Sequence, residues 1–561
     1  MKTKIVKINP EEICDSSFAI DEPGFSSGGS AVNDAAAPLR DAAALLLAGK
    51  LVAFPTETVY GLGAAALNDK AVKKIYKVKG RPADNPLILH IENMGQLTLL
   101  TDEVSAHAKA LAERFWPGPL TMIFIKKGDL PKYVTAGLDT VAVRMPSHPV
   151  ARALIKASGA PIAAPSANLS GKPSPTSGAH VIDDLTGKIS MIIDSGPVTI
   201  GLESTVVDLT RVPAVILRPG GVTYEDIADT IGRENVAGNR EYVSGQAATD
   251  DERPRSPGIK YRHYAPNAPM HLLEGSAENV AFWMRLFATV GKTKAGGVGL
   301  LASDEALAMS GTVWPDNITA LSLGSIDNPE AAAYVFYDAL RTFDKSGVQG
   351  IYCEHCRRGG IGTALKDRMA RAAASSTIDV DEPTILFVCT GNTCRSAMAE
   401  LLFNSQVEER MRDAGEHVVA PFATSAGTHA PEGAMATIEA IHAMQKMKLE
   451  LSGHRSGQLD YWRVARSSLT LTMTQAQRDE VIKRFPAMGA RVFTLVEFVS
   501  AFGADGNNGA DDNYDADGYY AAQGDDIDDP YGYDRNVYEE CAERLRGLTA
   551  ALADILFDGR A

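Results

Sequence analysis

Cys389 and Arg395 are spaced as a nucleophile and a phosphate-binding cation would be. The apolar run at 384–389 predicts a strand, and the amphipathic segment at 397–411 predicts a helix. The five residues between the pair would then form a loop at a helix N-terminus, where backbone N–H groups converge and suit a phosphate dianion. The same field lowers the pKa of a cysteine and favours its nucleophilic thiolate. The planar fork of Arg395 can hold two phosphate oxygens.

Polar residues of this region and one distant aspartate complete the expected chemistry. Asn392, Thr393 and Ser396 lie where they could bind phosphate, and Ser396 can also donate a hydrogen bond to the Cys389 thiolate. A phosphatase also needs an acid to protonate the leaving group. Asp529 follows an acidic stretch, and a reversal of the chain there could bring it over the phosphate. The sequence therefore predicts a cysteine-dependent phosphatase.

The C-terminal third resembles the low-molecular-weight protein-tyrosine phosphatase family over residues 384–561. The resemblance rests on the order of elements and on four motifs: VCTGNTCRS at 388–396, SAGT at 425–428, LSGHRS at 451–456 and DDPYG at 528–532. It implies a phosphocysteine intermediate on Cys389 and a general acid at Asp529. Two departures are present. Ala397 stands where the family often has proline, and the acidic segment before Asp529 is longer than usual.

Thr393 indicates which phosphorylated side chain is the substrate. Tyrosine-directed members of the family usually carry an aliphatic residue here, whereas the GNTCRS version resembles the bacterial protein-arginine phosphatase branch. A β-branched residue with a hydroxyl can restrict the pocket in favour of a slim phosphoguanidinium group. The expected substrate is therefore phosphoarginine, and phosphotyrosine is the alternative.

Other interpretations of the loop remain open. Arsenate reductases share it but need further redox cysteines nearby, and the next cysteine after Cys394 is Cys541. Cys394 could form a protective disulfide with Cys389, or it could be a small buried residue. A module that only binds phosphorylated proteins would need neither a nucleophile nor an acid.

A second group of residues suits a nucleotide and an amino acid. KGRP at 79–82 supplies two cations that oppose triphosphate charge, and SAN at 166–168 supplies a hydroxyl and an amide before a Gly- and Ser-rich stretch. Arg144 and Arg218 each end a strand-like run, where α/β sheets commonly bind ligands. No Walker loop is present, so ordinary P-loop chemistry is not supported.

Residues 30–375 resemble the YrdC-type threonylcarbamoyl-adenylate synthase family. SPGIKYRHYAP at 256–266 resembles the linker of its long form, and GGIGTALKDRMARAA at 359–373 resembles the end of the accessory domain of that form. The remaining motifs occur in the family's order: AFPTETVYGLG, KGRPADNPLILHI, WPGPLT, TVAVRMP, APSANLSG, ESTVVDL and LRPG.

This resemblance implies that L-threonine, bicarbonate and ATP react to give threonylcarbamoyl-adenylate and pyrophosphate. Mg²⁺ is expected on the phosphates, no organic cofactor is expected, and a partner transferase would use the product on tRNA. The residues implied on the ATP side are Lys79, Arg81, Asn85, Thr140, Ser166, Asn168, Ser174 and Arg218. The residues implied for threonine or carbamate are Thr58, His90, Arg144 and Ser204.

The linker from Tyr261 to Tyr264 is expected to close over the bound intermediate. The competing interpretation of the region is an RNA-binding module with a cationic cleft. The acidic total charge and the amino-acid-sized set of polar groups favour small-molecule chemistry instead, and no stable nucleic-acid binding is expected.

Short apolar runs that alternate with amphipathic segments predict a multidomain α/β protein. Three of its expected parts are folded domains: a YrdC-like twisted α/β domain, a small Rossmann-like accessory domain, and a phosphatase domain with a parallel sheet flanked by helices. In order, the parts are an N-terminal extension (1–35), the YrdC-like domain (36–237), a linker (238–266), the accessory domain (267–378) and the phosphatase domain (384–561).

Composition sets the remaining expectations. The 561 residues carry a net charge of −15 and six cysteines, which fits a reducing compartment better than a disulfide scaffold. No apolar run is long enough for a membrane span, so a cytoplasmic protein is expected. The acidic stretch 503–529 predicts a mobile loop that only partly fits a calcium site at 513–524. CEHC at 353–356 fits two semi-buried thiols better than a zinc site.

Overall fold

A computed structural model describes residues 2–13, 36–128, 130–237, 254–255, 264–291, 297–311, 314–356, 359–414, 420–503 and 526–558. Most of the predicted N-terminal extension, the linker with Tyr261, and the acidic stretch with its partial calcium motif lie outside these residues. The chain divides into two compact units. The first comprises Met1–Pro266, Leu323–Thr342 and Cys356–Ala372, and the second comprises Asn267–Ser322, Phe343–His355 and Ala373–Ala561.

A mixed ten-stranded sheet organises the first unit, in the strand order β1-β8-β2-β3-β7-β4-β6-β5-β9-β10. Its central strands are buried on both faces, as expected where helices cover a sheet. The strands are β1 (Lys4–Lys7), β2 (Val52–Phe54), β3 (Gly61–Ala65), β4 (Ile88–His90), β5 (Leu120–Ile125), β6 (Thr140–Arg144), β7 (Ile162–Ala163), β8 (Met191–Asp194), β9 (Thr205–Asp208) and β10 (Val215–Arg218).

Side-chain caps fix several helices of this unit. Asn68 accepts a hydrogen bond from the Ala71 N–H at the start of one helix, which ends at Gly80 in a left-handed conformation. This termination places Lys79 and the KGRP segment at a turn. The helices are α1 (Ala36–Leu47), α2 (Asp69–Lys79), α3 (Met94–Leu97), α4 (Ala106–Phe115), α5 (Lys132–Thr135), α6 (Pro149–Ser158), α7 (Gly178–Leu185) and α8 (Tyr224–Ile231), with 3₁₀ turns at Pro10–Glu12 and Arg233–Asn235.

Two parallel sheets belong to the second unit. Their orders are β13-β12-β14-β11-β15 and β17-β16-β18-β19. The strands are β11 (Met270–Glu274), β12 (Val298–Ala302), β13 (Ile318–Ser322), β14 (Gly350–Glu354), β15 (Thr377–Asp379), β16 (Thr384–Cys389), β17 (Phe422–Gly427), β18 (Leu469–Thr472) and β19 (Val492–Thr494).

Ten further helices complete the described chain. The first unit includes the helix Ile361–Ala372 and most of the helix Pro329–Ser346. The ten helices are α9 (Ala277–Gly291), α10 (Asp304–Ser310), α11 (Pro329–Ser346), α12 (Ile361–Ala372), α13 (Arg395–Ala414), α14 (Ile438–Lys446), α15 (Tyr461–Arg466), α16 (Gln475–Arg484), α17 (Leu495–Gly503) and α18 (Arg535–Asp558), with a 3₁₀ turn at Pro486–Arg491.

The predicted fold class is confirmed: the protein is a multidomain α/β chain with one large mixed sheet and two parallel sheets. The strand predicted at 384–389 is present as β16, and the strand-like runs that end at Arg144 and Arg218 are β6 and β10. Strand β3 was not predicted because its sequence, GLGAA, lacks the large apolar and β-branched residues that mark strands. The domain boundaries expected from the sequence remain predictions.

Candidate active sites

The first unit contains a cleft of about 700 Å³, part of which is open to solvent. Most of the residues expected to bind threonine and ATP line it. The predicted residues among its lining are Thr58, Lys79, His90, Arg81, Arg144, Ser166, Asn168, Ser204 and Arg218.

Sheet topology explains why residues distant in sequence meet here. Strands β4 and β6 are parallel neighbours, and His90 pairs with Arg144 in their register, so both side chains lie at the carboxyl ends of their strands. Arg218 ends β10, whose antiparallel neighbour β9 begins at Thr205, directly after Ser204. These strand ends form one edge of the sheet, the usual ligand position in α/β folds.

Arg144 is almost fully buried and is held by groups of one loop. Its Nη1 donates to Thr58 Oγ1 over 2.8 Å, and its Nη2 lies 2.7 Å from Glu57 Oε1. Burial raises the pKa of Glu57, but the Arg144 charge and hydrogen bond outweigh it and leave that pKa below its ordinary value. The arginine is thus fixed in place, and its charge is compensated before any ligand binds.

Lys79 and Arg81 provide two further cations. The Lys79 ammonium donates to Asn168 Oδ1 over 3.0 Å and to two backbone carbonyls of the SAN segment. Arg81 donates to the side chain of Asn85 over 2.5 Å. Burial lowers the pKa of both, that of Arg81 to about 10, and the Arg81 charge lowers the pKa of Lys79 further. A site that depresses the pKa of its cations would be stabilised by an anionic ligand.

Arg218 and Ser204 form another part of the cleft wall. The Arg218 guanidinium donates twice to the Ser204 carbonyl, over 3.0 and 2.9 Å, and once to its hydroxyl over 3.1 Å. Thr121 contacts the same hydroxyl over 2.8 Å. Burial lowers the pKa of Arg218. The position of each of these two side chains therefore depends on the other.

His90 is buried and stacks edge-on against Phe54. Burial, followed by the Arg144 charge, lowers its pKa to about 3, so the imidazole is neutral at physiological pH. Its Nδ1 has no hydrogen-bond partner among the described residues. A buried, unpaired ring nitrogen that lines a cleft is suited to a polar ligand atom.

Three expected ATP-side residues lie outside the cleft lining. Thr140 begins β6, at the opposite end of the strand from Arg144. Asn85 is buried and supports Arg81, and Ser174 is buried and donates to Glu203 over 2.5 Å. The structure thus places the last two behind the cleft wall.

Two cleft or near-cleft residues, both glutamates, were not predicted from the sequence. Glu57 pairs with Arg144, and Glu203 lines the cleft next to Ser204. Tyr264, within the predicted lid segment, is buried and lines the cleft. The two glutamates occur in quoted motifs, TET and EST, and a buried cation without a partner would have been the signal to look for them.

The second unit places the predicted phosphatase residues around Cys389. The cysteine ends β16 and is buried. Its Sγ lies 3.0 Å from Ser396 Oγ and accepts from the Asn392 N–H over 3.2 Å. The Cys394 thiol and then the Ser396 hydroxyl lower the pKa of Cys389 to about 6, against the opposing effect of burial. The thiolate therefore dominates at neutral pH.

Asn392 supports the loop with its side chain. Its amide donates to Ser396 Oγ over 2.9 Å and to Ser425 Oγ over 2.8 Å, and it accepts from the Gly457 N–H over 2.8 Å. His454 Nε2 lies 2.8 Å from the Asn392 carbonyl oxygen. The Asn392 backbone takes φ 54°, a left-handed conformation that these bonds stabilise. Asn392 thus directs its backbone N–H, and not its side-chain amide, toward the Cys389 sulfur.

Arg395 and Asp529 lie together despite their separation in sequence. The Arg395 Nη2 to Asp529 Oδ2 distance is 2.6 Å, and Nη1 donates to the Ile527 carbonyl over 2.8 Å. Asp529 is about half exposed while Arg395 is buried. The aspartate therefore occupies the mouth of the site and the arginine its wall.

Thr393 and Cys394 complete the loop. Thr393 is half-buried, and its carbonyl accepts from the Thr437 N–H over 2.9 Å. Cys394 is buried, and its sulfur lies 3.9 Å from Asp529 Oδ1. In the described part of the chain, no group of three or more His, Cys, Asp or Glu side chains could hold a metal ion. Of the CEHC segment, Cys353 is buried and Cys356 is half-buried.

Three family models match successive parts of the chain. The model described as Telomere recombination, for Sua5, YciO and YrdC, matches residues 44–220. Threonylcarbamoyl-AMP synthase, C-terminal domain, matches residues 222–374. Low molecular weight phosphotyrosine protein phosphatase matches residues 384–520.

Similar proteins cover the same regions. The threonylcarbamoyl-AMP synthase of Bacillus subtilis is 48% identical over 341 residues, which are 61% of this chain and 94% of that protein. The structure of Pyrococcus abyssi Sua5 complexed with L-threonine is 42% identical and covers 67% of this chain and 100% of that chain, with a TM-score of 0.58. The YwlE arginine phosphatase from Geobacillus stearothermophilus is 33% identical over 31% of this chain and 91% of that chain, with a TM-score of 0.24.

The two sites and the matched models define an enzyme with a transferase part and a hydrolase part. The chain belongs to the threonylcarbamoyl-AMP synthase family, and it carries in addition a domain of the low-molecular-weight phosphatase family. Both predicted enzyme classes are confirmed. None of the described helices combines the length and apolarity needed to cross a membrane.

Proposed function

We propose that the first unit makes threonylcarbamoyl-adenylate from L-threonine, bicarbonate and ATP. The observation that carries this proposal is the convergence of four cations on one cleft: the buried Lys79, Arg144 and Arg218 and the half-buried Arg81. Among the described residues, Glu203 lines the cleft and Glu57 pairs with Arg144 directly beside it, so part of this positive charge is offset. The solved L-threonine complex of the P. abyssi relative supports an amino acid as one ligand.

The nucleotide belongs on the side formed by Lys79, Arg81 and Arg218. Their charges oppose the triphosphate and stabilise the extra charge at the α-phosphorus during transfer. Asn85 and Ser174 do not line the cleft, and they position Arg81 and Glu203 through hydrogen bonds. Mg²⁺ would arrive with ATP as part of the substrate, held by phosphate oxygens and water.

Threonine and its carbamate belong beside Thr58, His90, Arg144 and Ser204. Arg144 presents a fixed cation to the carboxylate, and the neutral His90 offers its unpaired Nδ1 to a ligand hydroxyl or amine. The threonine nitrogen first attacks the bicarbonate carbon, a C–O bond breaks and water leaves, which gives the carbamate. A carbamate oxygen then attacks the α-phosphorus, the bond to the β-phosphate oxygen breaks, and pyrophosphate leaves.

The decisive assay is pyrophosphate release by the full chain with each substrate omitted in turn. The proposal expects release that requires ATP, threonine and bicarbonate together. Tight binding of duplex RNA without such turnover would favour the RNA-binding alternative and overturn the synthase proposal.

For the second unit we propose a phosphatase mechanism through Cys389, Arg395 and Asp529. The thiolate attacks phosphorus while Arg395 and the loop N–H groups hold the phosphate oxygens. The bond to the leaving group breaks, and the Asp529 carboxyl gives that group its proton. Water then attacks the phosphocysteine, Asp529 takes up a proton from it, and phosphate leaves. The substrate phosphate replaces Asp529 as the partner of Arg395, which frees the aspartate for this role.

We further propose that phosphoarginine is the preferred substrate. Thr393 is half-buried in the loop that surrounds Cys389, so its methyl and hydroxyl groups can set the width and polarity of the pocket. A guanidinium group is slimmer than a phenol ring and presents several N–H donors.

A series at one position tests this preference. Thr393→Val keeps the shape and removes the hydroxyl, and Thr393→Ile supplies the larger aliphatic side chain. We expect the ratio of phosphoarginine to phosphotyrosine kcat/KM to exceed one in the wild type and to fall at least tenfold in Thr393→Ile. A wild-type ratio below one would overturn the assignment.

The cellular setting follows from these activities. We propose a cytoplasmic protein whose adenylate product passes to a transferase acting on tRNA, and whose phosphatase acts on phosphorylated proteins. Detection of threonylcarbamoyladenosine in tRNA when the chain is combined with such a transferase would support this arrangement. Its absence, with adenylate still formed, would contradict it.

A further inference from the structure

Arg368 is a fully buried cation that none of the proposed steps uses. It lies on α12, far beyond the linker in sequence, and its relative exposure is 0%. Its Nε lies 2.8 Å from Glu203 Oε2, and its Nη2 donates to the Pro219 carbonyl over 2.9 Å. Asp367 engages the remaining nitrogen over 2.7 Å. Every nitrogen of the guanidinium therefore has a partner.

Two of those partners are chain neighbours of the cleft wall. Glu203 precedes Ser204, and Pro219 follows Arg218. Ser204 and Arg218 are themselves joined by three hydrogen bonds. One guanidinium thus ties together the two segments that carry these residues. The segments are closely packed, since a Cβ atom at Gly220 would lie only 2.5 Å from the Ser204 carbonyl carbon.

Glu203 links the same guanidinium to other groups of the first unit. Its carboxylate accepts from Ser174 Oγ over 2.5 Å and lies 3.1 and 3.2 Å from the Tyr337 hydroxyl. Tyr264 packs against the Tyr337 ring, with centroids 5.3 Å apart, and its own ring lies 5.8 Å from the Arg368 guanidinium carbon. The cleft-lining Tyr264 therefore rests on this buried cluster.

We propose that Arg368 is a positioning residue for adenylate synthesis. It sets the Ser204–Arg218 wall through Glu203 and Pro219, so α12 is part of the working synthase. This inference rests on the proposed synthase function, and it deepens that function by assigning a role to a residue outside the cleft lining.

Substitution of Arg368 tests the inference in the full chain. Arg368→Met removes both ties, whereas Arg368→Lys can keep the charge near Glu203 but cannot also reach Pro219 with the same planar fork. Arg371→Met is the matched control, because Arg371 is on the same helix and its ion pair is with Asp367, whereas Arg368 reaches Glu203 and Pro219. Pyrophosphate release gives kcat and the separate KM values for ATP and threonine.

A displaced wall should change ligand binding as well as turnover. We expect Arg368→Met to raise the KM for ATP or threonine at least tenfold and to lower kcat at least tenfold. Arg368→Lys should give intermediate values, and Arg371→Met should match the wild type. A merely structural role would lower the active fraction and leave both KM values unchanged.

Two controls separate the possible failures. Unchanged KM values in a folded Arg368→Lys variant would overturn the inference, and this milder variant carries the test if Arg368→Met does not fold. Glu203→Gln combined with Arg368→Met should lose less than the sum of the two single losses, because the two substitutions share the Glu203–Arg368 contact. Absence of substrate-dependent pyrophosphate release by the wild type would instead refute the synthase proposal itself.

Discussion

At the scale of single residues, reactivity in both sites is set by neighbours. Cys389 owes its low pKa to the Cys394 thiol and the Ser396 hydroxyl, which oppose the effect of burial. Glu203 remains ionised in a buried position because Arg368 and then Arg218 outweigh the cost of desolvation. In each case a polar neighbour reverses what burial alone would do.

Removal of the Cys394 thiol should therefore shift the pH dependence of the phosphatase. The thiolate is the reactive form, so activity falls as the pH drops through the Cys389 pKa of about 6. Cys394→Ala should raise that pKa and move the acidic limb of kcat/KM to higher pH by about one unit. Cys356→Ala, at a half-buried cysteine of the CEHC segment, serves as the control. An unmoved limb in Cys394→Ala would contradict the assigned cause.

Glu203 should also affect stability against acid. Its pKa is lowered from 4.5 to about 2, so its stabilising effect is complete above pH 4.5 and is lost as the pH falls toward 2. The shift corresponds to on the order of 3 kcal/mol of unfolding free energy. Glu203→Gln should remove that part of the pH dependence in denaturant titrations of the first unit, while the exposed Glu225→Gln should retain it. Equal slopes of unfolding free energy against pH for Glu203→Gln and wild type would refute this role of Glu203.

At the scale of elements, the phosphate loop depends on the strand beside it. Strand β17 pairs with β16 so that Gly427 lies opposite Cys389. The Thr428 N–H donates to the Cys389 carbonyl over 2.9 Å, and the Gly427 N–H to the Gly457 carbonyl over 3.0 Å. The loop shape is thus imposed from outside the Cys389–Arg395 segment.

A single methyl group at Gly427 should disturb this arrangement. A Cβ atom there would lie 2.5 Å from the Thr390 carbonyl oxygen and 3.0 Å from the Asn392 nitrogen, both in the loop backbone. Gly427→Ala should lower phosphatase kcat/KM by about a hundredfold, on the order of 3 kcal/mol in transition-state stabilisation. Gly453→Ala is the control, because no heavy atom lies within 4 Å of its Cβ position. Wild-type kinetics for Gly427→Ala would exclude this role of β17.

The sequence predicted elements better than it predicted their supporting contacts. The alternation of apolar runs and helices located the strands that end at His90, Arg144, Arg218 and Cys389. The sequence did not predict that the Asn392 side chain supports the phosphate loop, because a loop amide can bind a ligand or the protein equally well. The bonds from its side chain to Ser425 and Gly457 depend on tertiary pairing that periodicity does not encode. Glu57 and Glu203 were missed for the same reason.

At the scale of the whole molecule, the second unit has a continuous core. One cluster of buried apolar side chains includes Phe287 of α9 together with Phe387 of β16. Polar bonds cross the same region: the Tyr352 hydroxyl donates to the Ala490 carbonyl over 2.6 Å, and Arg491 donates to the Thr377 carbonyl over 3.3 Å. The five-stranded sheet should therefore contribute to the stability of the phosphatase.

Loss of one hydroxyl in this core should be measurable. Tyr352 is buried, so Tyr352→Phe leaves the Ala490 carbonyl without its partner. We expect a loss of about 1–3 kcal/mol in unfolding free energy, seen as a lower denaturant midpoint for phosphatase activity. Tyr461→Phe, at an exposed tyrosine of the same unit, should leave the midpoint unchanged. An unchanged midpoint in Tyr352→Phe would show that the sheet does not stabilise the phosphatase.

We propose that this one chain carries two separate catalytic centres, one at Arg218 and its neighbours and one at Cys389. The most direct measurement assays threonine-dependent pyrophosphate release and phosphoprotein hydrolysis in the same preparations of wild type, Arg218→Gln and Cys389→Ser. We predict that Arg218→Gln loses at least 99% of pyrophosphate release and keeps hydrolysis, and that Cys389→Ser shows the reverse. Hydrolysis that survives Cys389→Ser, or pyrophosphate release that survives Arg218→Gln, would contradict the account.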